Sequence, residues 1–178
     1  MPTNRPATSP DMAIDVFAAD EQKDEPVDTI RWVRLAKDVL GAEGVKGDAE
    51  LSMLFVDEHA IADLNERFLG EDGPTDVLAF PMDEHLSEGG RSPDSGGTGP
   101  GVNPEPTTEA PTVLGDVVLC PAVARRNAEG AARSYEDEMA LFVVHGILHL
   151  LGMDHADAAE ATAMQRRERE LLGRFHKQ

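Results

Sequence analysis

The chain has 178 residues, 40% of them apolar and 4% aromatic, and a net charge of −18. This suffices for one domain with some excess chain. So acidic a balance argues against tight binding through phosphates, and lone Cys120 excludes an internal disulfide. No run approaches the roughly 20 apolar residues of a membrane span. The first residues lack the apolar stretch of a secretory signal, so a cytoplasmic location is expected, with neither a membrane nor DNA as partner.

Residues 1–25 are acidic and proline-bearing and read as a mostly disordered tail, within which Ile14 to Phe17 could pair as an edge strand. Asp28 is placed to cap a helix to about Leu40, with Trp32, Leu35, Ala36 and Val39 as its apolar stripe and Gly41 as its end. Glu50 to Val56 reads as a buried strand. Asp57 caps a second helix carrying Ile61, Leu64 and Phe68 at helical spacing, and Gly70 stops it. The Gly73-Pro74 turn leads into a short strand, Val77 to Phe80, closed by Pro81.

Residues 83–111 are crowded with Gly, Pro, Ser and Thr and read as a disordered insertion. Val113 to Leu119 is a further strand, and Pro121 opens a helix ending near Gly130. Ser134 caps the next helix, with Asp137 three positions on, and Gly152 stops it. An amphipathic helix from about Asp157 to Leu172 closes the domain. Strands separated by helices need crossovers, so the sheet is expected to be partly parallel.

The chemistry is concentrated between His145 and His155. His145 and His149 are four residues apart, which puts both imidazoles on one helix face, one turn from each other. The flanking residues are apolar nearly all round, so the helix is expected to be buried, and a metal ion would satisfy the ring nitrogens. Gly152 lets the backbone turn back, and His155 can supply a third ligand. Three protein ligands leave the fourth zinc position for a water, as catalytic zinc sites do. A single buried histidine is ordinarily a satisfied core residue; three in this pattern are not. His59, His85 and His176 read as solvated.

The three histidines and the glycine match the zinc-peptidase pattern H-E-x-x-H-x-x-G-x-x-H, but Gly146 stands where that pattern has its general-base Glu. The run H-G-x-L-H-L-x-G-x-D-H over residues 145–155 resembles instead the signature of the YbeY-type endoribonucleases. Pro74-Thr75-Asp76-Val77-Leu78-Ala79-Phe80-Pro81 resembles that family's P-T-D-V-L-S-F-P motif, and Leu114-Gly115-Asp116 its L-G-D.

The resemblance implies a zinc-dependent, single-strand-specific endoribonuclease, acting in maturation of the 3′ end of 16S rRNA and in ribosome quality control. One Zn2+ would be held by His145, His149 and His155. Partners would be single-stranded rRNA and the small ribosomal subunit with its proteins. It also implies a single α+β domain, a small mixed sheet packed with helices and the zinc site on a buried C-terminal helix. Relatives carry an Arg before the Gly of L-N-x-x-[YF]-R-G; here Leu69 holds that place, and Arg67 lies two positions away, roughly 200° around a helix. Candidate catalytic residues are therefore Arg67, Asp76 and Asp154. Each Asp reads equally as a turn cap, and Asp154 also as an orienter of a ligand histidine. The alternatives are a zinc metallopeptidase-like hydrolase and a ribosome-binding assembly factor with a structural zinc.

The expected organisation is a tail over residues 1–25, a hydrolase domain over 26–173 interrupted at 83–111, and a short tail over 174–178. The insertion's composition cannot bury enough surface to offset chain entropy. Replacing it with a short Gly-Ser linker is expected to leave the thermal midpoint unchanged. A drop of many degrees would show that it packs on the core.

Overall fold

A computed structural model describes residues 14–46, 48–82 and 111–176. Four strands form one sheet: β1 (Ile14–Asp20), β2 (Ala49–Phe55), β3 (Val77–Pro81) and β4 (Thr112–Leu119). Its order is β1-β2-β4-β3; β1 and β4 each run parallel to β2, while β3 runs antiparallel to β4. Helices α1 (Thr29–Ala42) and α2 (Glu58–Leu69) supply the crossovers around β2, and α3 (Pro121–Gly130), α4 (Tyr135–Leu150) and α5 (Ala158–Phe175) follow β4. The domain is thus α+β with a mixed sheet.

The helices begin where side-chain acceptors meet the free N–H groups of a first turn. Asp28, Asp57, Ser134 and Asp157 accept from the backbone N–H three residues on, for α1, α2, α4 and α5 respectively. Pro121 occupies the first turn of α3. In β2 every second residue is buried, and Leu51, Met53 and Phe55 join Val117 and Leu119 of β4 in the core. α1 packs on β1, α4 packs on β3 and β4, and α4 also touches α1, α3 and α5. Helix α4 is thereby enclosed; Met139, Val143, Val144, Ile147 and Leu148 are fully buried.

Two glycines set how close these layers come. A Cβ on Gly146 would lie 2.6 Å from Val117 Cγ1 and 2.8 Å from Val77 Cγ2. The missing side chain lets α4 sit against β3 and β4 at the level of the histidines. Gly115 has φ +134°, and a Cβ there would lie 2.1 Å from the Phe80 carbonyl oxygen. It sits where the register of β4 against β2 shifts by a bulge.

Four expectations change. Residues 14–25 belong to the fold: Ile14, Val16 and Ala18 pack against the core as β1 pairs with β2. After β1, Gln22 Nε2 donates to Asp20 Oδ1 (2.8 Å) and the Glu25 carbonyl (2.9 Å), while its Oε1 accepts from the N–H groups of Asp24 and Glu25. Glu25 pairs with Arg125 at 2.8 Å, so these acids anchor the chain. Gly41 lies within α1; the left-handed residue is Gly44 (φ 80°), where the Gly44 and Val45 N–H groups return to the carbonyls of Gly41 and Leu40. Helix α5 continues to Phe175 beyond the expected end at Leu172. His176, expected in solvent, is held by Asp137 Oδ1 at 2.7 Å and Arg31 Nη2 at 3.5 Å. The insertion at 83–111 lies outside the described residues but for Pro111, as does His85.

Gly146→Ala is expected to destabilise the domain by about 1–3 kcal/mol, because both opposing atoms belong to stiff, β-branched valines. Urea unfolding of wild type and variant checks this; equal stability would mean that the layers separate freely.

Candidate metal centre

The site is built on the C-terminal half of α4 and the turn after it. The burial of α4 fixes the direction of its histidines: with Gly146, Ile147 and Leu148 turned inward, His145 and His149 emerge half-buried at the edge of the helix. The helix ends in a double hydrogen-bonded cap: the Gly152 N–H donates to the His149 carbonyl and the Met153 N–H to the Leu148 carbonyl, both at 3.0 Å. This needs a left-handed residue just past the end, and Gly152 supplies it with φ 101°. The chain then reverses, and Asp154 Oδ1 accepts from the His155 N–H at 2.7 Å. His155 is exposed, yet its ring returns to the other two.

One ring nitrogen from each of His145, His149 and His155 lies within 4.8 Å of the others. The Nε2 atoms of His145 and His149 are 3.0 Å apart. Nitrogens sharing one tetrahedral zinc lie about 3.4 Å apart, so the cluster is close to that geometry. His145 Nδ1 is 2.5 Å from Glu168 Oε1. The carboxylate oxygen accepts, so the ring donates from Nδ1 and its Nε2 presents a lone pair toward His149. Burial, then the neighbouring His145 and His155, push the His149 pKa below the ordinary histidine range. It is therefore neutral at pH 7, as a metal ligand must be. With no thiolate in the set, the group suits a borderline ion such as zinc. The residues present can hold a metal ion.

Glu168 is a residue that sequence reasoning missed. It lies on α5 and is nearly buried, between the buried Met164 and Leu171. An acidic residue in the apolar phase of an amphipathic helix was the available signal. Glu138, about two turns before His145 on the same side of α4, is likewise buried and pairs with Arg133 at 3.3 Å.

Two cavities meet at the histidines. One, of about 410 Å3, runs from His145 and His155 past Met164 and Phe142 to Glu138 and Glu168. The other, of about 430 Å3, runs from all three histidines along β3 to Asn65, Leu69 and Phe80. Asp76 lines both. Its Oδ1 also accepts from the Val77 N–H (2.8 Å) and from Thr75 Oγ1 (3.2 Å), so the turn-capping and cleft positions coincide in one carboxylate. Asp154 lines the second cavity. Arg67 is exposed in the last turn of α2 and is not among the residues lining either cavity, whereas its neighbours Asn65 and Leu69 line the second one.

No Lys or Arg is among the described residues lining the two cavities. Arg125 and Arg126 of α3, Arg133 in the turn before α4 and Arg167 of α5 are paired with Glu25, Glu58, Glu138 and Glu43 respectively. Cys120 is fully buried at the start of α3, and burial raises its pKa, which leaves an inert thiol.

A family model described as Endoribonuclease YbeY matches residues 17–176. The sequence is 46% identical to the Endoribonuclease YbeY of Frankia alni over 157 residues, covering 88% of this chain and 80% of that one. It is 47% identical to that of Thermobifida fusca over 161 residues, 90% and 92% of the two chains. The solution structure of TM1509 from Thermotoga maritima matches with a TM-score of 0.52 at 24% identity, over 92% of each chain, a likeness of fold.

Removing the carboxylate that orients a ligand histidine ordinarily weakens metal binding about 10- to 100-fold. Glu168→Gln is expected to lose affinity for Zn2+ by that factor in competition with a chromophoric chelator. Wild-type affinity in the variant would show that Glu168 does not set the ring.

Proposed function

Because the chain belongs to the Endoribonuclease YbeY family, we propose that it is a zinc-dependent endoribonuclease. It cleaves single-stranded RNA in maturation of the 3′ end of 16S rRNA, with a role in ribosome quality control. The observation that carries this reading is the convergence of His145, His149 and His155 at the junction of two cavities.

The three histidines would hold the ion, with Glu168 fixing the tautomer of His145. Bound zinc supplies a Lewis acid for a phosphoryl oxygen and lowers the pKa of a coordinated water from ~15.7 toward ~7. The chain's own residues do the rest. Asp76 is the carboxylate common to both cavities, and we assign it as proton acceptor, held in place by Thr75 and the Val77 N–H. Asp154 braces the turn that carries His155. Arg67 has no part in the site as built.

A peptidase is disfavoured on steric grounds. The helix position that carries the base in zinc peptidases is Gly146, which faces Val77 and Val117. Gly146→Glu therefore introduces a clash where a peptidase has a general base.

The charge supports the ribosomal setting that the family suggests. At −18 overall and with no Lys or Arg among the described residues on the cavity walls, the protein holds naked RNA weakly, so small-subunit proteins are proposed to present the rRNA. The described helices include none long and apolar enough to cross a membrane, in keeping with the proposed cytoplasmic role.

The test uses zinc-replete wild type and His149→Ala on a single-stranded RNA and on casein. About one zinc per wild-type chain, RNA cleavage without casein cleavage, and loss of both zinc and cleavage in the variant are expected. Casein cleavage without RNA cleavage would make the protein a peptidase. Zinc retained with no hydrolysis of either substrate would make it a binding factor. Equal zinc in both proteins would remove the site.

A further inference from the structure

The second cavity has an apolar rim of unusual exposure. Phe68, at the end of α2, is 62% exposed, and its neighbour Leu69 is 59% exposed. The Phe68 ring meets Phe80 edge-on with centroids 5.0 Å apart, and Phe80 and Leu69 line the same cavity as the three histidines. Two of the chain's eight aromatic side chains are left largely in solvent, Phe17 at 56% and Phe68 at 62%, and Phe68 is the one that stands beside this cavity, where it forms a continuous apolar rim with Leu69 and Phe80.

The cavity's electrostatics narrow the occupant. Its charged lining residues besides the histidines are Glu71, Asp76 and Asp154. Away from the ion that the histidines would hold, such a wall offers phosphates no cationic partner among the described residues, so a single strand that runs along it depends on contacts to its sugars and bases. Below the rim, Asn65 is 3% exposed. Its Nδ2 donates to the Gly73 carbonyl at 3.0 Å, while its Oδ1 has no hydrogen-bond partner among the described residues. Beneath the floor lies a buried acceptor without a partner among the described residues, and the rim presents an open aromatic face. Nucleobases carry donor groups and a π-face; phosphates carry neither.

We propose that this rim is a nucleobase subsite, in which one unpaired base of the RNA stacks on Phe68, flanked by Leu69 and Phe80, adjacent to the scissile position at the histidines. This rests on the endoribonuclease reading and adds to it how an acidic groove grips RNA. It also confines binding to strands whose bases can leave a duplex, because a paired base has no free face.

The experiment compares zinc-loaded wild type, Phe68→Ala and Phe68→Trp on a short single-stranded RNA, and on a set in which one abasic ribose is moved through its length. Phe68→Ala is expected to raise KM about 5- to 100-fold, the usual range for one lost base stack. Its kcat, zinc content and thermal midpoint should stay near wild type, and Phe68→Trp should restore KM. In wild type, one abasic position should raise KM to a similar degree, and Phe68→Ala should be indifferent to that position. The slope of log KM against log salt should be the same in both proteins, because no phosphate contact is removed.

An unchanged KM in Phe68→Ala overturns the proposal. If the midpoint also falls, the ring is a packing contact for another part of the chain, and if the oligomeric state changes, for a second copy. A variant that remains sensitive to the same abasic position overturns it too. Failure of the nuclease reading looks different: no variant cleaves RNA, while wild type still quenches a 2-aminopurine-labelled strand and Phe68→Ala does not. That outcome supports the base subsite and removes the nuclease.

Discussion

The close contact between α4 and the strands β3 and β4 is the constraint on which the rest of the molecule depends. The contact is possible because residue 146 has no side chain: Val77 and Val117 fill the space a Cβ would need. It fixes three things at once. It buries the apolar faces of α4, it brings Asp76, next to Val77, up to the histidines, and it rotates His145 and His149 to the mouth of the groove. The glycine that leaves a peptidase-like pattern without its base is thus a packing residue. The vacancy in the chemical pattern and the closeness of the layers have one cause.

A second organising feature is where the negative charge lies. Many acidic side chains are tied to local basic partners or cap helices, as Glu25, Glu43, Asp57 and Asp157 do. Others, such as Asp76, Glu138 and Glu168, are gathered around the histidines. Together they favour a cation at the centre of the cluster, and they supply acceptors for a ring N–H and for a proton. Among the described residues the groove has none of the arginines expected of an RNA enzyme. Recognition is shifted from the backbone of the strand to its bases.

Much of this was legible in the sequence, because the signals were local. Asp28, Asp57 and Ser134 announce helix starts by what they accept, Gly70 and Gly152 announce ends by the φ they permit, and the His145–His149 spacing requires only a helix. What was not legible is non-local. Ile14 to Asp20 is an edge strand only because β2 lies beside it, and Gln22 is buried only because the chain folds back to α3 and α4. Gly41 fits a helix stop as well as Gly44 does, and which is used depends on where Trp32 and Val39 must point. Glu168 is 23 residues from His145, and no spacing rule joins them. Arg67 and Leu69 differ by two residues on α2, but only the packed structure decides which of them sees the cavity.

The three histidines are not equally anchored. His145 and His149 belong to a packed helix whose opening requires much of the core to open, while His155 is exposed on a turn braced by Gly152 and Asp154. Local opening is cheapest where few buried contacts must break. For an ion held by all three, the bond to His155 would be the first to release, with the two helix-borne donors retaining it. Exchange with the surrounding metal pool would then be gated by the turn, from the solvent side of residue 155, and the dwell time of the ion would follow the lability of a four-residue reversal.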